Sequence, residues 1–308
     1  MDIIEIKDVT KRYANHLALE QISLSIPQGS VFGLLGPNGA GKTSLIRIVT
    51  QITAPDHGEV RYKGEPLSAQ HSLHMGYLPE ERGLYKKMEV GEQALYLARL
   101  KGLSRKDAIS RLKYWFEKFE IQGWWKKKIE ELSKGMAQKV QFITTILHDP
   151  EFIILDEPFT GFDPINAEMI KNELIELRRK GTTIVLSTHR MESVEELCTH
   201  IALIDSARVI LSGSVKDIRR RFRSHAYQVK YAGDPIELSK ALNPFGVMLD
   251  NVAEDDHYSM SIKLNSNVTT NQLLQTLLPI SSIYSMNEVV PSMNDIFIQQ
   301  VNLSKLNR

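Results

Sequence analysis

The chain has 308 residues and a net charge of +1, with 42% hydrophobic and 24% charged residues. This length is sufficient for two domains of ordinary size, and the balanced charge gives no reason to expect nucleic acid as a partner. The single cysteine, Cys198, excludes a disulfide framework and is typical of a reducing compartment. The longest apolar runs are far too short to span a membrane, so a membrane role would need a partner protein.

Alternating apolar residues predict strands over residues 1–26, and the apolar run "VFGLL" at 31–35 predicts a buried strand. The pattern becomes helical at about 90–147. Strands and helices then alternate through "EFIIL", "TTIVLS" and "HIALI". Strands that alternate with helices indicate an α/β fold whose mostly parallel sheet is covered on both faces. The helical stretch is long enough to be an inserted subdomain.

An arginine-rich segment, "RRRFR" at 219–223, marks the predicted domain boundary. We place the first domain at 1–222 and the second at 223–308. Short strand and helix patterns from "YQVKYA" to "SMNDIFIQQV" predict that the second is a small α+β domain without a motif for chemistry. For the arginines, a solvated helix end is favoured over contact with lipid headgroups.

The segment "GPNGAGKTS" has the phosphate-loop pattern Gly-x4-Gly-Lys-Ser/Thr, between a predicted buried strand and an amphipathic helix. Backbone N–H groups of such a loop surround phosphate oxygens, Lys42 can reach the terminal phosphates, and the Thr43 hydroxyl can ligate magnesium. A glycine-rich turn without a ligand is the alternative, which the flanking strand and helix disfavour. The predicted phosphate-binding residues are Gly36, Pro37, Asn38, Gly39, Ala40, Gly41, Lys42, Thr43 and Ser44.

Further polar groups follow two other predicted strands. In "FIILDEP", Asp156 suits a magnesium contact, and Glu157 could orient and deprotonate an attacking water. In "STHRMES", His189 could donate a hydrogen bond to a γ-phosphate. The alternative for "FIILDEP" is a strand that ends in solvated acids, and a lone histidine is usually a structural or surface residue. Because Gly36, Asp156 and His189 all follow parallel strands, and ligands bind at that edge of such sheets, we expect them to form one site.

A second candidate anion site lies in "LSKGMAQKV", where the polar loop Ser133-Lys134-Gly135 leads into a helix. Free N–H groups point outward at a helix N-terminus and can bind an anion. This segment has no acidic or lysine partners of its own, unlike the phosphate loop. The residues alone leave open whose phosphate it would hold.

In this order and spacing, these motifs resemble the ATP-binding subunits of ABC transporters over about residues 3–220. The resemblance implies a P-loop cassette with a mostly parallel core sheet, an antiparallel β subdomain and a helical subdomain. It implies ATP and Mg2+ as cofactors, with Glu157, His189 and Lys42 as catalytic residues. Tyr13 matches the aromatic residue that stacks on adenine, although a tyrosine that packs on its own hairpin is the alternative. "FTGFD" is similar to the D-loop, a dimer contact, and its Asp163 can also cap the helix that follows.

In this family two cassettes pair head to tail, and a signature, usually Leu-Ser-Gly-Gly-Gln, faces the ATP of the partner. "LSKGM" stands at that position, so the resemblance implies that Ser133 and Gly135 hold the γ-phosphate bound to the other subunit. Lys134 and Met136 replace the usual glycine and glutamine. Glu80 also departs from the family, which has a glutamine there. The resemblance implies that the metal contacts come from Thr43, Asp156 and Glu80.

"GYLPEERGLYKKM" and "LSKGM" together resemble a narrower group, exporter ATPase subunits such as those of sodium-extrusion systems, which carry a small C-terminal extension. We therefore expect a peripheral ATPase at the cytoplasmic face of the cell membrane. It would act as a homodimer or paired cassette with separate transmembrane permease subunits. One alternative is a soluble ABC ATPase that acts on ribosomes or nucleic acid, but the chain has neither a second cassette nor a long heptad run. A non-catalytic nucleotide sensor is disfavoured by the intact Lys42, Asp156, Glu157 and His189.

Overall fold

The structure is a computed structural model that describes residues 1–81 and 83–306, which divide into two compact units. The first unit contains Met1–Val215 and the C-terminal residues from Gln300, and the second contains Lys216–Gln299. This division differs slightly from the boundary after residue 222, which stays a prediction.

The strands follow in chain order: β1 (Asp2–Tyr13), β2 (His16–Pro27), β3 (Val31–Leu35), β4 (His57–Tyr62), β5 (Glu65–Pro66), β6 (Met75–Leu78), β7 (Phe152–Asp156), β8 (Thr183–Ser187), β9 (His200–Asp205), β10 (Arg208–Ser214), β11 (Ala226–Gly233), β12 (Gly246–Glu254), β13 (His257–Leu264) and β14 (Ser281–Glu288).

The α-helices follow in the same way: α1 (Lys42–Val49), α2 (Val90–Leu100), α3 (Arg105–Lys118), α4 (Lys134–Ile146), α5 (Pro164–Arg179), α6 (Met191–Leu197), α7 (Val215–Arg221), α8 (Pro235–Leu242), α9 (Thr270–Leu277) and α10 (Met293–Leu306). Short 3-10 helices cover Ala69–His74, Gln122–Trp124 and Ile129–Glu131. Over residues 1–81 and 83–306, none of the helices combines the length and the apolar character that a membrane span requires.

The core sheet of the first unit has the strand order β10-β9-β3-β8-β7-β6. Its neighbours pair in parallel, except that β10 runs antiparallel to β9. All side chains of β3, β7 and β8 are buried, as expected for parallel strands covered on both faces. The predicted mostly parallel sheet is thus confirmed. Because β8 lies between β3 and β7, the loops that follow these three strands converge at one edge.

The predicted antiparallel β subdomain is also confirmed, with the strand order β2-β1-β4-β5. Its apolar side chains join those of β3 and α1 in one core, which includes Ile4, Leu19, Leu45 and Phe152. The helical stretch contains α2, α3 and α4. Aromatic rings fill its interior, where Phe119 lies 6.0 Å from Trp115 and 5.9 Å from Phe142, between ring centroids.

The second unit is the predicted small α+β domain, with the antiparallel strand order β12-β13-β11-β14. The apolar faces of α8 and α9 pack on this sheet through residues such as Leu238 and Leu273. The helix α8 begins at Pro235 because Asp234 caps it and Pro235 occupies its first position.

Candidate nucleotide-binding and catalytic site

The loop between β3 and α1 is held in a tight curve by two of its glycines. A Cβ atom on Gly36 would lie 2.2 Å from the Ile204 carbonyl oxygen, and one on Gly41 would lie 2.4 Å from the Ala18 carbonyl oxygen. Both residues also have positive φ angles, +151° and +113°, which L side chains rarely adopt. The loop therefore requires glycine at both ends, and this shape turns backbone N–H groups toward a common centre.

The Lys42 side chain folds back inside this loop. Its ammonium group donates hydrogen bonds to the Gly36 carbonyl at 2.8 Å and the Pro37 carbonyl at 3.1 Å, and Lys42 is 9% exposed. Burial lowers the pKa of Lys42, against the opposing effect of the nearby Glu157 and Asp156 carboxylates. A negatively charged phosphate oxygen attracts the ammonium group more strongly than these neutral carbonyl oxygens do, so the ammonium can turn to an anion in the loop.

Asp156 ends the buried strand β7 and is only 4% exposed. Burial raises the pKa of its carboxyl group, and the negative charges of Glu80 and Glu157 act in the same direction. A carboxylate that is costly to ionise here would be stabilised by a cation beside it.

Glu157 follows in a left-handed conformation, with a φ angle of 49°. Its backbone N–H donates to the Ser187 carbonyl at 2.8 Å, which ties the turn after β7 to the end of β8. Its carboxylate accepts from the His189 backbone N–H at 3.1 Å and from the Thr188 hydroxyl at 3.4 Å, and His189 Nδ1 lies 2.6 Å from Oε1. The sequence predicted His189 as a phosphate contact; its contact with Glu157 was not predicted.

One cavity of about 460 Å3 collects most of the predicted site residues. Its lining includes Tyr13, Asn38, Gly39, Gly41, Lys42, Thr43, Ser44, Glu80, Asp156, Glu157 and His189. The lining also contains His16, Ala18 and Thr160, which no sequence motif indicates. Gly36, Pro37 and Ala40 form the loop itself and do not line the cavity. The expected convergence of the three strand ends is thus present in the structure.

The donor set in this cavity fits Mg2+. Thr43, Asp156 and Glu80 all line it and offer only oxygen ligands. In residues 1–81 and 83–306, no group of three or more His, Cys, Asp or Glu side chains is arranged to hold a metal ion alone. Mg2+ usually takes one or two protein carboxylates and completes its coordination shell with water and substrate phosphates.

Tyr13 lies at the end of β1, where it pairs with His16 of β2, and it lines the same cavity. It is 39% exposed, and the Lys11 ammonium lies 5.5 Å from its ring centroid. A tyrosine packed into its hairpin would be more deeply buried. The partly open ring beside the phosphate loop supports stacking on a base.

The signature-like segment "LSKGM" does not contribute Ser133 or Gly135 to this cavity. Ser133 caps α4, because its hydroxyl accepts a hydrogen bond from the Met136 backbone N–H at 3.3 Å. The helix begins at Lys134, so the expectation that Lys134 and Gly135 belong to the preceding loop is wrong. Among the described residues, neither Ser133 nor Gly135 lines the cavity that contains Lys42. The two segments predicted to bind anions thus do not share a cavity within one chain.

Comparison with known proteins identifies the family. A family model described as "ABC transporter" matches residues 19–160, and one described as "ATP-binding protein DrrA1-3-like, C-terminal domain" matches residues 213–301. The chain is 38% identical to the uncharacterised ABC transporter ATP-binding protein YhaQ of Bacillus subtilis over 299 residues, which are 97% of this chain and 98% of YhaQ. The chain belongs to the ABC transporter ATP-binding proteins.

Other relatives agree with this assignment. The ABC ATPase is 32% identical to the Nod factor export ATP-binding protein I of Rhizobium etli, over 80% of this chain and 78% of the relative. Among solved structures, an ATP-binding subunit of an ABC transporter has a TM-score of 0.67 and 31% identity, over 71% of this chain and 93% of that one. A dimeric cassette in a post-hydrolysis state with ADP and phosphate has a TM-score of 0.64 at 22% identity, which shows the fold alone.

Proposed function

We propose that this ABC ATPase drives an exporter, and that two copies pair head to tail around two ATP molecules. The observation that carries the proposal is the separation of the two anion-binding elements within one chain. Lys42 and the phosphate loop line a cavity with Glu157, whereas Ser133 and Gly135 do not. A second chain that contributes its Ser133 and Gly135 would complete this cavity.

Within the completed site, the residues divide the chemistry of ATP hydrolysis. The loop N–H groups and Lys42 bind the phosphates, and Tyr13 stacks on the adenine. Glu157, held by His189 and Thr188, orients the attacking water and accepts its proton. Thr43, Asp156 and Glu80 would hold Mg2+, which supplies positive charge for the phosphates when it is bound. Ser133 and Gly135 of the opposing chain would stabilise charge on the transferred phosphoryl group.

The proposal also includes that the ATPase drives export through separate transmembrane permease subunits. It is supported by the relatives, since several are named Nod factor export ATP-binding protein I. The segment 80–85 is the candidate docking surface for the permease; Arg82 within it lies outside the described residues. At the end of this segment, the Tyr85 backbone N–H donates to the buried Gln93 side chain at 3.1 Å, which fixes the segment to α2. The chain would then work as a peripheral protein at the cytoplasmic face of the membrane.

The head-to-tail arrangement has a direct test with two inactive variants, Ser133→Arg and Glu157→Gln. In a heterodimer isolated through two different affinity tags, one site carries both lesions and the other carries neither. We expect ATPase activity to return to about half of the wild-type value per dimer.

The matched control places both substitutions in one chain and pairs it with a wild-type chain. Each site then has one lesion, so activity stays low although the composition is the same. Equal activity of the two heterodimers would contradict the shared site. Co-purification with permease subunits, followed by ATPase assays with and without them, tests the transport role against the ribosome or nucleic acid alternative.

A further inference from the structure

Lys134, which replaces the usual glycine of the signature, lies directly over the D-loop of its own chain. A Cβ atom built on Gly161 would lie 2.9 Å from Cε, 3.0 Å from Cδ and 3.1 Å from Cγ of Lys134. Three successive carbons of the lysine therefore occupy the space that any side chain at position 161 would need. Gly161 also has a φ angle of +92°, so both the nearby lysine stem and the left-handed backbone favour glycine at this position.

The next residue of the signature extends this contact. A Cβ atom on Gly135 would lie 3.5 Å from the Gly161 carbonyl oxygen and 3.9 Å from Phe162 Cδ1, which is ordinary van der Waals contact. One turn further along α4, the buried Gln138 donates a hydrogen bond to the Pro158 carbonyl at 3.4 Å. The first turns of α4 thus contact the segment that follows Glu157 at Pro158, Gly161 and Phe162.

That segment is connected in turn to the catalytic residue. The Thr160 backbone N–H donates to the Glu157 carbonyl at 3.1 Å, and Thr160 lines the nucleotide cavity. At the far end, the Asp163 carboxylate accepts from the Asn166 backbone N–H at 2.9 Å and anchors the D-loop to α5. A displacement of Gly161 would therefore be felt at Glu157.

We infer that the Lys134 stem and Gly161 form an interlocking pair that couples the signature of each chain to its own Glu157, which makes Lys134 a positioning residue. The inference rests on the proposed function, in which the signature faces the ATP of the opposing chain. When Ser133 and Gly135 bind that ATP, the start of α4 and the D-loop shift together. The first ATP site thereby signals to the second.

Packing of the stem, rather than the charge, carries this contact. Lys134 is exposed, and within residues 1–81 and 83–306 its ammonium group has no hydrogen-bond or ion-pair partner. A methionine has a stem of similar length without the charge, so Lys134→Met should retain the coupling. Lys134→Gly restores the residue usual for the family but leaves a gap above Gly161.

The experiment measures ATPase activity against ATP concentration for the full chain and four variants. Lys134→Gly should lower kcat about tenfold and bring the Hill coefficient close to one, because misplaced catalytic groups lose rate steeply. Lys134→Met should keep both values near wild type. Gly161→Ala should also lower kcat, because an alanine strains the left-handed backbone at this position and its methyl group displaces the lysine stem.

The double variant Lys134→Gly/Gly161→Ala decides whether the two positions act as a pair. Removal of the stem relieves the steric part of the Gly161→Ala effect and leaves the backbone strain, so the double variant should be more active than the product of the two single effects predicts, although less active than wild type. Independent effects, or a Lys134→Met variant as impaired as Lys134→Gly, would overturn the inference. The heterodimer of Ser133→Arg and Glu157→Gln chains separates this inference from the proposed function. If that heterodimer regains activity while the effects of Lys134→Gly and Gly161→Ala are additive, only the Lys134–Gly161 coupling is wrong, and the head-to-tail dimer is retained.

Discussion

His189 and Glu157 share a short hydrogen bond, with 2.6 Å between Nδ1 and Oε1. The backbone N–H of His189 donates to the same oxygen at 3.1 Å, whereas Oε2 receives only the long 3.4 Å contact from the Thr188 hydroxyl. Because an ionised carboxylate can only accept, Nδ1 carries the proton in this bond. Oε1 is thus engaged by two donors, and Oε2 is the oxygen better placed to accept a proton from water.

We expect Glu157→Gln to bind ATP normally but to lose nearly all turnover, at least a hundredfold, because an amide cannot act as a general base. The amide oxygen can still accept from His189, so the loop should keep its shape. ATPase assays and size-exclusion chromatography with ATP should show an inactive protein trapped as a dimer. Glu237→Gln, on the exposed side of α8, is the matched control. Wild-type turnover by Glu157→Gln would remove this residue from the mechanism.

The His189→Ala substitution should lower kcat about a hundredfold and change KM for ATP much less. Without the imidazole, Oε1 keeps only the backbone donor, and the Glu157 carboxylate can rotate away from the water. Steady-state kinetics separate the two parameters. If KM rises while kcat is retained, His189 serves binding of ATP, and orientation of Glu157 is not its role.

For Glu80→Gln, which restores the residue usual in this family, we expect ATPase activity within about tenfold of wild type, a shift of roughly 1.4 kcal/mol. A glutamine oxygen can still accept from metal-bound water, and the cavity loses one negative charge. Titration of ATPase activity with magnesium should show a modest change in the half-saturating concentration. Complete inactivity would indicate a dedicated role for the carboxylate.

Asp156→Asn should inactivate the enzyme and yet raise its melting temperature at neutral pH. Burial raises the pKa of Asp156 in the folded protein above its value in the unfolded chain, so ionisation of this group opposes folding as the pH rises through that interval. The asparagine has no such cost. Thermal unfolding without nucleotide should show a gain that shrinks at acidic pH, where the wild-type carboxyl is protonated. A lower melting temperature at all pH values would contradict the sign of the effect.

Removal of the Lys118 charge should destabilise the first unit strongly. Lys118 of α3 pairs with Glu173 of α5, whose side chain is only 3% exposed, and it also lies 2.8 Å from Glu176. We expect Lys118→Met to lower the free energy of unfolding by about 3 kcal/mol, because it leaves the Glu173 carboxylate buried without its cation. Denaturant unfolding gives this value directly.

The matched control for this pair is Glu176→Gln. Glu176 contacts the same lysine, but its side chain is 49% exposed, so the expected loss is below about 1 kcal/mol. Similar losses for Lys118→Met and Glu176→Gln would mean that burial of Glu173 is not what makes the pair important.

The sequence allowed prediction of features that depend on one contiguous segment. The phosphate loop has its glycines, lysine and flanking elements within a few residues, and "FIILDEP" combines a buried strand with the carboxylates at its end. The helix that begins at Pro164 was predictable because Asp163 and Pro164 form a local start signal, and the structure confirms the cap.

Features that depend on distant segments were not predictable. The contact between Glu157 and His189 arises because β7 and β8 are neighbours in the sheet, and no sequence pattern within either segment predicts this contact. The contact of Lys134 with Gly161 likewise requires the packing of α4 on the D-loop. The strand β6 was missed because its four residues are followed at once by Pro79. The early start of α4 was missed because Gly135 disfavours helix, whereas the Ser133 cap and tertiary packing prevail.

Ser133 and Gly135 do not line the cavity of the phosphate loop in the same chain, and this has a consequence for how much ATP the protein consumes in the cell. If each cavity is completed only by a second chain, a solitary cassette consumes almost no ATP, and the specific activity rises with protein concentration until the dimer saturates. Chains produced in excess of their permease would then hydrolyse little ATP as long as their concentration stays too low for dimers to form. A site divided between two chains in this way would make ATP hydrolysis depend on assembly of the dimer.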